Sequence, residues 1–168
     1  MKNRVVLFTL IFAALLCNGN ANAFTLSITP EYNFNDTTVM ADAVNSRAIR
    51  DFEKKFPAVT GEQWIKTTNG YLVKFRVNDV LSYCSYDERG RFVVMTTYLN
   101  EDNMPREIKQ QIEKQFAGYT IGPVTETAYE KNVYYQVTIK NYHFIKTLRI
   151  IDSTIEIVDS WNIQDVME

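Results

Sequence analysis

The sequence predicts an α+β protein made of two tandem repeats, each with one helix packed on a four-stranded antiparallel sheet, together forming a curved sheet. Two similar segments indicate the repeat: Phe-Glu-Lys-Lys-Phe at residues 52–56 and Ile-Glu-Lys-Gln-Phe at residues 112–116. Each segment closes an amphipathic helix pattern. Each is followed by short segments in which apolar and polar residues alternate, which is the period of a half-buried strand.

The first 23 residues have the features of an export signal. Lys2 and Arg4 supply positive charge, residues 5–16 form an apolar run, and residues 21–23 (Ala-Asn-Ala) match the small-x-small cleavage pattern. The run is shorter than the roughly 20 residues that a membrane-spanning helix needs. We therefore expect export to the periplasm or secretion, and lipidation at Cys17 is the less favoured alternative because a bulky leucine precedes it.

The composition of the mature chain, residues 24–168, excludes some classes of partner. Without Lys2 and Arg4, 16 of the 18 basic residues remain against 20 acidic ones, a net charge of −4. This acidic balance argues against a nucleic-acid partner. Only Cys84 remains after cleavage, so an internal disulfide is not expected. Its position in a strand pattern predicts a small buried side chain rather than a reactive thiol.

The first repeat is placed at residues 40–100, after an extended leader at residues 24–39. Apolar residues recur at helical spacing from Val44 to Phe56, and Pro57 ends the helix because the residue before a proline disfavours helical geometry. Asn69-Gly70 is a strong hairpin signal. A meander of four strands is predicted at residues 62–68, 71–77, 80–86 and 91–98.

The second repeat is placed at residues 101–168. Met104, Ile108, Ile112 and Phe116 recur every four residues and predict the helix. Polar turn residues separate the segments that follow it. Four strands are predicted at residues 119–128, 133–140, 143–151 and 154–161.

Alternation along each strand predicts which side chains face the helices. We expect one set to point inward: Tyr71, Val73, Phe75 and Val77, Phe92, Val94, Thr96 and Tyr98, and Val133, Tyr135, Val137 and Ile139. Their neighbours point outward, including Leu72 and Thr138.

The outward face is the predicted binding surface. Aromatic and arginine side chains on a rigid sheet are typical of protein-recognition surfaces, although exposed antiparallel sheets normally have a polar outer face in any case. The predicted partner-binding residues are Lys74, Arg76, Tyr83, Arg91, Met95, Tyr134, Gln136, Lys140 and Arg149.

Catalysis finds little support in the sequence. The single histidine, His143, has no cysteine or acidic residue at the spacing of a known motif. Neither a metal-ligand cluster nor a glycine-rich phosphate loop is present. We predict no catalytic residues, no metal and no cofactor.

The order of several short motifs resembles that of the PepSY-like exported proteins of Bacteroidetes. The motifs are Phe56-Pro57, Trp64 at the start of a strand, Asn69-Gly70-Tyr71, Tyr86-Asp87 with Gly90, and Met104-Pro105. The resemblance covers roughly residues 40–161. It implies a tandem α/β arrangement like that of the beta-lactamase inhibitor protein, and a binding or inhibitory role in the cell envelope.

These observations predict an exported, non-enzymatic module that binds or inhibits a protein or peptide in the cell envelope through its open sheet face. One alternative is a small-ligand carrier with an aromatic pocket between the repeats, lined by residues such as Tyr83, Tyr98 and Tyr134. Another is a protein that associates with itself through a sheet edge.

Overall fold

The computed structural model describes residues 37–166. The predicted signal peptide and residues 24–36 of the predicted leader lie outside this range. The elements are β1 (Thr37–Val39), a 3-10 turn (Ala41–Ala43), α1 (Ser46–Lys55), β2 (Gln63–Thr67), β3 (Gly70–Val77), β4 (Val80–Asp87), β5 (Phe92–Leu99), α2 (Arg106–Gln115), β6 (Thr120–Tyr129), β7 (Asn132–Lys140), β8 (Phe144–Ile151), β9 (Thr154–Asn162) and α3 (Ile163–Val166).

Local sequence signals account for these elements, and each of the eight predicted strands is confirmed to within one residue at either end. Helix α1 begins after Asn45, whose side chain accepts a hydrogen bond from the backbone N–H of Arg47 at 3.0 Å. Two hairpins turn at residue pairs with positive φ, Asn78-Asp79 (49° and 64°) and Asp152-Ser153 (46° and 64°). These values match the two-residue turns that suit twisted strands.

The predicted fold class is wrong: the chain does not form two repeats, each with a helix on its own four-stranded sheet. All nine strands form one antiparallel sheet in the order β1 to β9. Strands β5 and β6 join the two halves through six residue pairs, from Val94–Tyr129 to Leu99–Val124. Pairing these strands satisfies the backbone N–H and C=O groups that two isolated sheets would leave unpaired at their edges. The ninth strand, β1, comes from residues predicted as leader.

Helices α1 and α2 pack on the same face of the sheet. Helix α1 buries Ala48 and Phe52 against Val73 and Cys84. The register continues across the sheet from Cys84 to Met95, then to Ala128 and Val133, and residues paired across strands share a face. On that face of the second half, α2 packs over a core formed by Met104, Ile112, Val124, Val137, Ile139, Leu148 and Ile150.

The predicted orientation of β5 is wrong for three residues. Val94 pairs with Ser85, which pairs with Leu72 on the face away from the helices. Val94, Thr96 and Tyr98 therefore lie on that face and not inward. The cause is a β-bulge. Ser85 pairs with Val94 but the next residue, Tyr86, pairs with Phe92, so Val93 is an extra residue in β5 and reverses the faces of the residues that follow it.

The β2–β3 hairpin depends on a glycine at its base. The turn residues are Thr68 and Asn69, one position earlier than predicted, and Thr67 pairs with Gly70. Gly70 has a φ of 151°, and a Cβ atom there would overlap the backbone carbonyl oxygen of Tyr86. We infer that a side chain at this position would force β3 and β4 apart.

Asp87 gives the β4–β5 turn a pH dependence. Its carboxylate accepts a hydrogen bond from the backbone N–H of Arg91 at 2.8 Å and a second from Arg91 Nε at 2.6 Å. The hydrogen bond from the backbone N–H is the main cause that lowers the pKa of Asp87, and the guanidinium lowers it further.

We expect Asp87→Asn to reduce the free energy of unfolding at neutral pH. The lowered pKa means that this stabilisation is present above the ordinary carboxyl pKa of about 4 and disappears as the pH falls through the folded-state value. Urea unfolding of both proteins from pH 7 to pH 2.5 should show the difference shrinking towards acid. A difference that is the same at every pH would contradict this role of the carboxylate.

Candidate functional site

The face of the sheet opposite α1 and α2, here called the open face, carries most of the predicted binding residues. Residues paired across strands form continuous rows on it. One row runs from β3 to β8 through Lys74, Tyr83, Thr96, Thr127, Tyr134 and Ile151. A second runs from β5 to β9 through Tyr98, Thr125, Gln136, Arg149 and Glu156. A third joins Thr120, Lys140, Ile145 and Trp161.

The structure brings seven of the nine predicted residues together on the open face: Lys74, Arg76, Tyr83, Tyr134, Gln136, Lys140 and Arg149. The apolar residues Ile65, Leu72 and Val94 are also on this face, and they are buried. Contacts with a partner would therefore fall on the longer polar and aromatic side chains.

Two predicted residues lie elsewhere. Met95 pairs with Cys84 and packs against the core beneath α1, so it is on the covered face; the bulge that reverses Val94 explains its position too. Arg91 lies at the β4–β5 turn, and its guanidinium pairs with Asp87 at 2.6 Å. Neither residue contributes to the rows of the open face.

The cations of the open face differ in how far they are engaged within the protein. Arg76 donates to the backbone carbonyl of Asp79 at 2.6 Å, which holds its guanidinium near the β3–β4 turn. Arg149 is buried and pairs with Glu156 at 2.5 Å. Within residues 37–166, Lys74 and Lys140 form no ion pair. The charges of Lys74 and Lys140 are thus available to a partner. That of Arg76 is partly available, because its guanidinium also donates to the carbonyl of Asp79.

Aromatic side chains add contact area next to these cations. The rings of Tyr83 and Tyr98 lie edge to face, with centroids 5.8 Å apart, across β4 and β5. Tyr98 is 48% exposed and Trp161 is 49% exposed. Such rings give a large contact at low entropic cost, which is typical of residues that contribute most to binding.

Cys84 and His143, the side chains most able to act as a nucleophile or a base, lie in different environments. Cys84 is fully buried, which confirms the predicted position of its side chain, and this burial raises the pKa of its thiol to about 12. His143 is exposed at the β7–β8 turn beside Phe144. In the described part of the chain, no group of three His, Cys, Asp or Glu residues could hold a metal ion, and no helix of residues 37–166 is long and apolar enough to cross a membrane.

One cleft, of about 410 Å³, has no counterpart among the features that the sequence predicts. It is lined by Gly118, Thr120, Lys140, Asn141, Tyr142 and Ile163. None of the three tyrosines predicted to line a pocket between the repeats contributes to it. Lys140 was predicted as a binding residue, but nothing in the strand pattern indicated that β6, the β7–β8 turn and α3 meet around it.

Comparison with solved structures shows that this fold is shared with proteins of Bacteroides. A DUF2874 family protein from Bacteroides ovatus is 17% identical, with a TM-score of 0.57 over 74% of this chain and 91% of its own. A BLIP-like protein from Bacteroides fragilis is 14% identical, with a TM-score of 0.57 over 71% of this chain and 86% of its own. The predicted likeness to the beta-lactamase inhibitor protein fold is therefore confirmed at the level of fold.

A third similar structure comes from Bacteroides eggerthii, and its description provisionally assigns it to the periplasm. It is 13% identical, with a TM-score of 0.55 over 73% of this chain and 91% of its own. At these identities the comparison establishes the fold alone. No family model matches the sequence, and no curated protein matches it.

Proposed function

We propose that this protein is an exported, non-enzymatic module that binds or inhibits a protein or peptide of the cell envelope through its open face. The observation that carries the proposal is the placing of Lys74, Tyr83 and Tyr134 in one row across six adjacent strands. A sheet holds such side chains at fixed spacing, so that little conformational entropy is lost on binding.

The similar folds support this proposal. One of these proteins is described as BLIP-like and another is provisionally assigned to the periplasm, which agrees with the export signal predicted at residues 1–23. The proposal includes the PepSY-like assignment, which rests on the motifs Phe56-Pro57 and Asn69-Gly70-Tyr71. A beta-lactamase target is not part of it, because fold does not determine function.

The charge of the open face indicates the kind of partner. Lys74, Arg76 and Lys140 outnumber the acidic residues of its rows, which are Asp159 and the Glu156 that pairs with Arg149, although the chain as a whole is acidic. An acidic surface on the partner would be attracted to this face and repelled by the rest of the molecule. Such complementarity affects the association rate and orientation more than the final affinity.

The test is capture of a partner from envelope extract with the mature chain as bait. For the captured protein, we expect Lys74→Ala/Arg76→Ala to weaken binding roughly three- to tenfold and to reduce its salt dependence, as the loss of two partly exposed charges implies. The matched control is Arg47→Ala/Lys54→Ala, which removes two exposed charges from α1 instead. Equal affinity of the two double variants would rule out the open face as the docking surface.

A small-ligand carrier remains the second candidate because the 410 Å³ cleft is within the usual size range of ligand sites. The cleft lies at the strand ends of the second half, away from the pair formed by Tyr83 and Tyr98. Its lining includes a lysine, a threonine and an asparagine. This lining suits an anionic or polar group better than the wholly apolar ligand that an aromatic pocket would take.

A further inference from the structure

The cleft beside Lys140 is built from rigid parts. At the β7–β8 turn, Asn141 Oδ1 accepts hydrogen bonds from the backbone N–H groups of His143 at 2.9 Å and Phe144 at 2.8 Å. The backbone N–H of Ile163, at the start of α3, donates to the carbonyl of His143 in the same turn at 2.9 Å. These bonds fix two walls of the cleft before any ligand enters, which reduces the entropic cost of binding.

On its third side the cleft is lined by a glycine, which carries no side chain. Gly118 follows α2 with a φ of 85°, a conformation that favours glycine, and a Cβ atom there would meet no other atom within 4 Å. The cleft therefore opens to solvent beside Thr120, which pairs with Lys140 across β6 and β7.

Charge determines what the cleft can accept. Of the lining residues within 37–166, Lys140 is the one that carries a charge, and no acidic residue in that range forms an ion pair with it. The hydroxyl of Thr120 and the side chain of Asn141 add further polar atoms. An ammonium group with nearby hydrogen-bond donors matches a carboxylate, since charge-assisted hydrogen bonds are stronger than neutral ones.

Aromatic side chains flank this charge. Tyr142 is 96% exposed at the mouth of the cleft. Trp161, which is half exposed, pairs with Ile145, and Ile145 pairs with Lys140, so two strand spacings of about 4.8 Å each separate Trp161 from Lys140. Large exposed aromatic residues around a polar cleft are typical of an interaction site.

We propose that this cleft is the anchor point of the open face and that it takes an acidic side chain from an extended segment of the partner. The carboxylate binds Lys140, and the apolar neighbours of the acidic residue pack against Tyr142 and Trp161. This inference rests on the proposed function, because Lys140 and Trp161 belong to the open face, and it adds the chemistry of the group that is recognised.

Two synthetic peptides test the inference, acetyl-Leu-Glu-Leu-amide and its neutral twin acetyl-Leu-Gln-Leu-amide. Each is titrated into the isotope-labelled mature chain, and backbone amide shifts are followed by NMR. We expect the glutamyl peptide to shift Thr120, Lys140 and Tyr142 with millimolar affinity. The glutaminyl peptide should bind at least about threefold more weakly, because it lacks the charge that Lys140 recognises.

Two matched variants make the test specific. Lys140→Met should abolish the preference for the glutamyl peptide, whereas Lys131→Met, which removes an exposed lysine at the opposite end of the same hairpin, should retain it. Tyr142→Ala should weaken both peptides equally while leaving the preference intact. Equal affinities of the two peptides, a preference that survives Lys140→Met, or no saturable shift at about 10 mM peptide would each overturn the inference.

The peptide test and the capture test fail separately. A partner that is captured through Lys74 and Arg76, together with peptides that do not bind, would remove the cleft and leave the proposed function standing. Peptides that bind in the cleft, together with a partner whose affinity is insensitive to Lys74 and Arg76, would leave Lys140 as a carboxylate-binding site but would remove both the proposed docking surface and the role of the cleft as its anchor.

Discussion

Replacing Phe52 with Ala will lower the free energy of unfolding by about 3–5 kcal/mol, the range observed for large-to-small changes at buried aromatic residues. Phe52 is 2% exposed and is the residue through which α1 enters the core of the first half. Its ring lies edge to face with Trp64 at 5.6 Å and with Phe75 at 5.0 Å between centroids. Losing the ring removes these contacts and leaves a cavity that the fixed sheet cannot close.

Urea unfolding followed by circular dichroism measures this effect. The matched control is Glu53→Ala, one position along the same helix and exposed, which should change stability by less than about 0.5 kcal/mol. A loss below about 1 kcal/mol for Phe52→Ala would mean that α1 does not anchor the core as the contacts indicate.

A proline at Thr127 should destabilise both halves of the molecule together. Thr127 lies in β6, with Thr96 of β5 on one side and Tyr134 of β7 on the other. Because β6 has a partner strand on each side, the backbone N–H of Thr127 faces either β5 or β7 and lies within the sheet whichever way it points. Proline removes that donor, and the buried carbonyl left without its hydrogen bond costs about 1–3 kcal/mol. The natural Pro123 lies instead where the β6–β7 register is interrupted.

Hydrogen exchange distinguishes one sheet from two. In Thr127→Pro we expect peptides from residues 63–99 and from residues 132–162 to lose protection at the same rate, since β5 and β6 connect the halves into one cooperative sheet. Thr127→Val keeps the N–H and serves as the control, with native protection expected throughout. Undiminished protection of residues 63–99 in the proline variant would show that the halves unfold independently.

Helices α1 and α2 and strands β2 to β9 could be predicted because their signals are local. The spacing from Val44 to Phe56 produces a helix whichever sheet lies beneath it, and Asn78-Asp79 turns the chain through its own backbone preferences. The burial of Cys84 was predictable from the alternation of apolar and polar residues along its strand. Phe52 of α1 and Ile112 of α2, which come from the two similar segments, are both buried.

The candidate site was predictable only in part. Alternation placed Lys74, Gln136 and Lys140 correctly on one face, because their strands carry no irregularity before them. It failed at Val94 and Met95, because a bulge inserts one extra residue and reverses the faces of the residues after it. A periodic pattern does not indicate where such a residue lies. The cleft could not be predicted, because Gly118 and Ile163 lie far apart in the sequence and meet only in the folded chain.

The sequence by itself therefore determined α1, α2, eight strands, most of their turns and most of the polar face, because each depends on residues within a few positions of one another. The tertiary structure alone decided that β5 pairs with β6 to make one sheet, that β1 extends it, and that a cleft forms around Lys140. These features depend on hydrogen bonds and packing between segments distant in the chain, where a strand's own residues do not specify its neighbour.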